Sequence, residues 1–193
     1  MSTILVLASL TAGEVDSPTL ELLTLARDLG APVALVVGDV PAAAAATLGS
    51  YGATAVHAVD CPQLTASLVT ARAALVTEMA TATGAEVVLV AAGTENAEMA
   101  ALAAAGLGAA LVTDAVAASD VDGSLHVTKV VWAGQHTVEA VVQTPRAVLT
   151  VKPNAVAPSP DPMGGCVPAV ETRVFVHEAA REAVVTALVP SAA

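Results

Sequence analysis

Short aliphatic runs alternate with alanine-rich segments through the first 107 residues, and this alternation constrains the fold more than any other feature. The aliphatic runs suit buried strands, whereas the alanine-rich segments favour helix. Strands joined in succession by helices form crossovers, which produce a mostly parallel sheet covered on both faces. The predicted strands are 3–9, 32–38, 54–59 and 86–92, and the predicted helices are 17–29, 41–48, 61–82 and 95–107.

The alternation of strands and helices ends after residue 109, where strand-like segments follow one another with little helix between them. Asp122-Gly123 is a hairpin turn signal within this part. We therefore expect an α/β fold whose mostly parallel first half carries added antiparallel strands in its second half. The strands predicted there are 110–114, 116–119, 125–133, 137–143 and 147–151.

Proline and glycine residues are frequent in the segment that follows this domain. Residues 153–168 contain five prolines and the pair Gly164-Gly165, a composition that favours an extended or disordered connector. The expected organisation is an α/β domain over 1–152, a connector over 153–168, and a final strand and tail over 169–193. The final strand is predicted at 171–177, with a helical turn or frayed tail over 178–188.

Composition excludes several classes of function. The chain is 55% hydrophobic but only 2% aromatic, so alanine, valine and leucine must build the core. It has no uninterrupted apolar run of 18 residues and no basic leader at its start, so we expect a soluble cytoplasmic protein without membrane insertion. The net charge of −11 argues against nucleic-acid binding, which needs clustered lysine and arginine.

The residues that most often carry chemistry are sparse and scattered. Cys61 and Cys166 lie far apart, so we expect neither a disulfide nor a metal site. None of the four histidines has a second ligand at metal spacing, and exposed strand positions are expected for all of them. These histidines are His57, His126, His136 and His177.

Five residues at three sites have both a functional and a structural interpretation. Thr94 and Asn96 follow the fourth strand, where they can hold an anion or cap a helix. Asp114 and Thr113 stand at a strand end and fit either a functional or a turn-capping role. Trp132, the only tryptophan, fits a subunit contact and core packing equally well. We assign no catalytic, cofactor-binding or metal-binding residue, and the chain is expected to be a scaffold or docking domain.

Several segments resemble the N-terminal domain, domain I, of the electron transfer flavoprotein alpha subunit. The most specific is LGAALVTDAVAA at 107–118, and the last, VLTVKPNAV, carries Lys152 where the family usually has arginine. The similarity covers about residues 3–178. The other matching segments are the opening strand and helix at 4–30, YGA at 51–53 and WAGQHTVEAVV at 132–142.

Two departures limit what the resemblance implies. The helix NAEMAALAAAGLG at 96–108 has no basic residue, although the family usually carries an arginine there. The sequence also stops at Ala193, where the family continues into a second domain that makes most of the contacts to FAD. We therefore expect a chain that lacks the FAD-binding domain, and no FAD-binding residue is carried onto this sequence.

The resemblance implies a part in electron transport rather than an enzyme with its own catalytic centre. Complete members are FAD-containing heterodimers of alpha and beta subunits. They carry electrons from flavin dehydrogenases, such as the acyl-CoA dehydrogenases of fatty acid beta-oxidation, towards the respiratory chain. This chain is expected to dock the beta subunit, to bind no FAD alone, and to self-associate when the partner is absent.

A second hypothesis belongs to a different functional class. The parallel first half and the turn at Gly93-Thr94 fit a stand-alone adenine-nucleotide-binding module of the universal-stress type. Both hypotheses share the adenine nucleotide alpha hydrolase-like fold class. The absence of any GxGxxG or GxxxxGK[ST] motif counts against the second.

Overall fold

The computed structural model describes residues 2–61, 64, 69–162 and 166–175. Within them are four helices and eleven strands, and helices alternate with strands through the first half as the sequence predicts, whereas the short strand pair within residues 10–15 was not predicted. The helices are α1 (Ser17–Leu29), α2 (Ala42–Ser50), α3 (Val69–Thr83) and α4 (Thr94–Leu107). The strands are β1 (Thr3–Ala8), β2 (Leu10–Thr11), β3 (Glu14–Val15), β4 (Ala31–Val37), β5 (Ala55–Asp60), β6 (Val87–Ala91), β7 (Ala110–Val121), β8 (Ser124–Val131), β9 (His136–Val141), β10 (Ala147–Val151) and β11 (Ala169–Val174).

Nine of these strands form one sheet in the order β11-β5-β4-β1-β6-β10-β7-β8-β9. Every neighbouring pair from β11 to β7 is parallel, whereas β7, β8 and β9 pair antiparallel. The predicted fold class is thus confirmed, a mostly parallel sheet flanked by helices with added antiparallel strands. One detail was wrong: β10 was expected among the antiparallel strands, but it lies parallel between β6 and β7.

Helices cover both faces of the sheet, and each face has its own apolar core. Leu5, Leu35 and Val88 point to the side of α3 and α4, where they pack with Leu75 and Met99. The alternate strand residues point to the side of α1, because successive side chains in a strand face opposite ways. These are Ile4, Val6, Val36, Leu89 and Leu149, and they pack against Leu22, Leu25 and Ala26 of α1.

β7 folds back at Asp114, whose backbone φ of 58° lies in the left-handed region. Before this bend Ala110 pairs with Ala147 at the start of β10, and after it Ala115 pairs with Val151 at the end of β10. The strand then returns towards the amino-terminal ends of the parallel strands along the α1 face, and it places Ala118 in that core. The two strands predicted at 110–114 and 116–119 are therefore one bent strand.

The predicted bounds 17–29 of the first helix are confirmed, but two assignments at helix ends were wrong: Ser17, which precedes Pro18, was expected to cap this helix, and Gly49 was expected to close the second helix. Ser17 does not cap α1, because Asp16 is the N-cap residue and Ser17 is already helical. Gly49 does not end α2, which continues to Ser50. Gly49 is instead a point of close approach, since a Cβ atom there would lie 2.6 Å from the backbone oxygen of Cys166.

The chain after β10 lies along α1 and makes several hydrogen bonds with it. The backbone N–H of Asn154 donates to the buried carboxylate of Glu21 at 2.7 Å, and the N–H of Ser159 donates to Thr24 Oγ1 at 3.1 Å. Arg27 donates to the backbone oxygen of Ser159 at 2.8 Å. The helical turn or tail predicted at 178–188 lies outside the described residues.

Candidate functional site

The carboxyl ends of the parallel strands form the edge where an α/β sheet most often binds ligands. The strand order reverses between β1 and β6, so the edge beyond Ala8 and Ala91 is the topological switch point. The loop after β1 is fixed to α1 there, because the N–H of Ser9 donates to the buried Thr19 hydroxyl at 2.9 Å. This edge is therefore where such a sheet is expected to bind a ligand.

Thr94 and Asn96 do not cap α4 as the simpler interpretation proposed. The N-cap residue is Gly93, which makes no side-chain capping bond, and Thr94 is the exposed first residue of the helix. The Asn96 side-chain amide donates to the backbone oxygen of Ala91 at 2.9 Å. That bond joins the end of β6 to the start of α4. It also occupies one of the two N–H donors of the Asn96 side chain, which would otherwise be available to an anion.

Asp114 and Thr113 mark the bend of β7, so neither is a turn cap. The Asp114 backbone N–H donates to the buried Thr150 hydroxyl at 2.9 Å, while its side chain is exposed. Thr113 Oγ1 accepts a hydrogen bond from the Lys129 ammonium at 3.3 Å. Both residues therefore hold the bend against β8 and β10.

His57 is buried, so the prediction that it occupies an exposed strand position was wrong. Its Nδ1 atom lies 3.4 Å from Glu171 Oε2 on β11, and this carboxylate also pairs with Arg173 at 3.3 Å. Burial lowers the pKa of His57, and Arg173 adds to that effect while Glu171 opposes it. Among the other histidines, His126 is half-buried, His136 is exposed and His177 lies outside the described residues.

The remaining candidate groups give no metal or redox arrangement in the part of the chain that the structure covers. No three histidine, cysteine, aspartate or glutamate side chains there are grouped to hold a metal ion. Cys61 is buried, Cys166 is exposed, and they form no disulfide. The described helices include none with the length and apolar character to cross a bilayer.

A cavity of about 700 Å³ opens at the opposite, amino-terminal edge of the sheet. The β7–β8 turn forms one wall of it because β7 returns to this edge. Ser2 donates to Glu86 at 2.6 Å on the far wall, and Arg146 also lines the cavity. The cavity thus carries charges of both signs above an apolar floor that includes Ile4 and Val142.

The turn between β8 and β9, Trp132–Gln135, places the single tryptophan in solvent. Trp132 is 70% exposed, which excludes the core-packing interpretation. Its ring meets that of His136 edge to face, with centroids 4.7 Å apart. Trp132, Ala133 and Gly134 all have positive φ, an unusual run of left-handed residues that holds the indole outward. We call residues 132–135 the hairpin tip.

The cluster of His57, Glu171 and Arg173 was not predicted from the sequence, because His57 lies more than 100 residues from the other two. The alternation within 55–60 did contain a signal, since His57 shares a face of its strand with Val59. Trp132 was singled out correctly, but its exposure depends on how far the hairpin extends beyond the sheet.

Comparisons with known proteins agree with these structural features. The family model described as "Electron transfer flavoprotein domain" matches residues 4–178. Two curated proteins named electron transfer flavoprotein subunit alpha, from the CDC 1551 / Oshkosh and ATCC 25618 / H37Rv strains of Mycobacterium tuberculosis, are 31% identical over 183 residues. The alignment covers 93% of this chain and 56% of each relative, so the chain spans just over half of their length.

Proposed function

The chain belongs to the electron transfer flavoprotein domain family, and on that premise we propose that it is an alpha-type subunit region that docks a beta-type subunit. The observation that carries this proposal is the family match over residues 4–178, supported by identity to alpha subunits along 93% of the chain. The assembled heterodimer would carry electrons from flavin dehydrogenases, such as acyl-CoA dehydrogenases, to the respiratory chain. A cytoplasmic location and a role in fatty acid beta-oxidation belong to the same proposal.

We expect the described residues not to bind FAD on their own. A dinucleotide pyrophosphate needs backbone amides in a glycine-rich turn, or cations that are free to meet it. Three arginines are engaged by carboxylates, since Arg27 pairs with Asp161 at 3.9 Å, Arg72 with Glu95 at 3.6 Å, and Arg173 with Glu171. Arg146 lines the cavity at the amino-terminal edge, away from the switch point. The turn after β1 contains one glycine, Gly13. We therefore propose that this chain contributes a rigid platform to the heterodimer and that residues elsewhere bind the flavin.

Reconstitution with the cognate beta-type subunit tests the proposed docking. Size-exclusion chromatography should give a one-to-one complex when the two chains are mixed or co-expressed. The chain alone should show no flavin absorbance, and added FAD should leave its melting temperature unchanged. Stoichiometric flavin on the isolated chain would refute the platform role, and failure to form a complex would refute the docking role.

The strand order supports a second candidate function, adenine-nucleotide binding at the switch point between β1 and β6. That position is where doubly wound sheets bind mononucleotides and dinucleotides. Calorimetric titration with AMP and ATP separates the two proposals. Saturable binding of either nucleotide that is lost in Ser9→Trp, at the end of β1, would favour the second candidate. If neither nucleotide gives a heat of binding, the second candidate is refuted and the docking role remains the proposed function.

A further inference from the structure

The hairpin tip is an exposed aromatic anchor, because the indole of Trp132 meets the exposed His136 ring and is otherwise largely in solvent. Tryptophan is among the residues most enriched at energetic hot spots, because its large rigid ring loses little conformational entropy on binding. Trp132 is 70% exposed, and Val138 of the same hairpin is 42% exposed. The tip therefore presents a compact apolar projection.

A groove of about 750 Å³ lies on the outer side of α3 and α4. The two helices approach closely there, since a Cβ atom on Gly106 would lie only 3.1 Å from Thr77 Oγ1. Short side chains such as Ala74 and Ala82 line the groove, with Leu102 as its one large apolar side chain. Leu102 is 42% exposed, so this strip of the surface is apolar and open to solvent.

The charges beside the tip and the groove are opposite in sign. Lys129 and Val131 share a face of β8, and their cross-strand partners are Val138 and His136. Lys129 therefore lies on the same face of the hairpin as His136, the residue whose ring contacts Trp132. Lys129 is the basic residue of β8 and β9, whereas their acidic residue, Glu139, pairs with Thr128 and lies on the other face of the hairpin. The groove, in contrast, is lined by the exposed carboxylate of Glu78.

We infer that the chain, when no other partner is bound, associates with a second copy of itself by inserting Trp132 into the α3–α4 groove of that copy. The apolar ring matches the apolar groove. Lys129 of one copy would exchange its 3.3 Å hydrogen bond with Thr113 for an ion pair with Glu78 of the other. The tip belongs to strands that pack on the α1 face, whereas the groove is on the opposite face. Two different surfaces meet in this contact, so association is head to tail and can continue beyond a dimer. The inference goes beyond the proposed function.

The single tryptophan makes the contact directly observable. Emission from Trp132 in the 193-residue chain should shift to shorter wavelength as concentration rises, in step with an increase in sedimentation coefficient. Trp132→Ala and Ala82→Arg should each weaken association by about tenfold or more, because one removes the anchor and the other fills the groove. Leu111→Arg changes an exposed apolar residue outside both surfaces and should associate like the wild type. Thermal melts confirm that each variant is folded.

A charge exchange tests the orientation of the contact. Glu78→Lys and Lys129→Glu should each weaken association, and the double variant should recover it, because the pair is restored with its signs reversed. A monomer with unchanged emission at high concentration overturns the inference. Association that leaves Trp132 exposed, or that Ala82→Arg does not affect, overturns it as well. These measurements use the chain alone, so their outcome is independent of whether a beta-type subunit binds.

Discussion

His57 Nδ1 lies 3.4 Å from Glu171 Oε2, and this contact joins β5 to β11, the strand at one edge of the sheet. The histidine is buried, while the carboxylate is largely exposed and is shared with Arg173. β11 pairs with no strand other than β5 in the described sheet, so the His57–Glu171 contact adds a side-chain link to that single backbone ladder.

Acidification should weaken the fold through His57. Its pKa in the folded protein is below the usual value of about 6.5, chiefly because of burial, so the unfolded chain binds the proton more tightly. Stability from this group is complete above the unfolded pKa and is lost as pH falls below it towards the folded pKa. Urea unfolding between pH 8 and pH 5 should show a steeper loss for the wild type than for His57→Gln. Identical pH profiles would contradict this assignment.

Glu21 should hold the segment after β10 against α1. Its buried carboxylate accepts the Asn154 N–H at 2.7 Å, and Glu21→Ala leaves that donor without this partner, at a cost of about 1–3 kcal/mol. Glu21→Gln keeps an acceptor oxygen and should lose less. Ser17→Ala is the matched control, since it removes only the 3.4 Å contact to the other carboxylate oxygen. Equal unfolding free energies for Glu21→Ala and Ser17→Ala would show that the Asn154 bond is unimportant.

Asp114 should matter for its backbone conformation rather than for its carboxylate. At φ 58° a β-branched residue is strained, so Asp114→Val should lower the unfolding free energy by about 1–2 kcal/mol. Asp114→Gly and Asp114→Asn tolerate the left-handed region and should leave stability close to that of the wild type. Thermal unfolding of the three variants gives the comparison. Equal destabilisation in all three would instead assign the effect to the lost carboxylate.

Gly49 should control how residues 166–168 approach α2. A methyl group there would meet the Cys166 backbone oxygen and Pro168 Cδ, both at 2.6 Å. Gly49→Ala should therefore displace this segment and speed amide hydrogen exchange in β11, even though alanine favours the helix by about 0.5–1 kcal/mol. Gly93→Ala is the control, because its Cβ has no neighbour within 4 Å and its φ of 171° suits any residue. Unchanged exchange in β11 would show that the segment has room to move.

The elements of the first half were predictable because their signals are local. Gly30 and Gly108 follow the last residues of α1 and α4, and the aliphatic runs mark β1, β4 and β6. Gly49 was misinterpreted as a helix end. Its role depends on residues 166–168, which pack closely against it although they lie more than 100 positions later in the sequence. A glycine that ends a helix and a glycine that lets another segment pack closely cannot be distinguished by the residues next to them in the sequence.

The arrangement of the second half depends on contacts that local patterns do not encode. The pattern over 110–119 marks extended chain, but it does not show that Asp114 reverses the strand within one element. Burial of His57 likewise depends on β11, which reaches the edge of the sheet after the whole second half has been built. The candidate docking surface was anticipated only as the single residue Trp132, because grooves such as that between α3 and α4 arise from packing.

The position of β10 between β6 and β7 has a consequence for how the polypeptide is made. A ribosome that has released residues up to 146 has delivered both flanking strands but not the one that joins them. Until Ala147–Val151 emerges, two partly built sheets present open edges to other nascent chains, which is a condition that favours misassembly. Completion of this sheet therefore waits for residues 147–151, and the interval before they emerge is when a holding chaperone would protect the chain most.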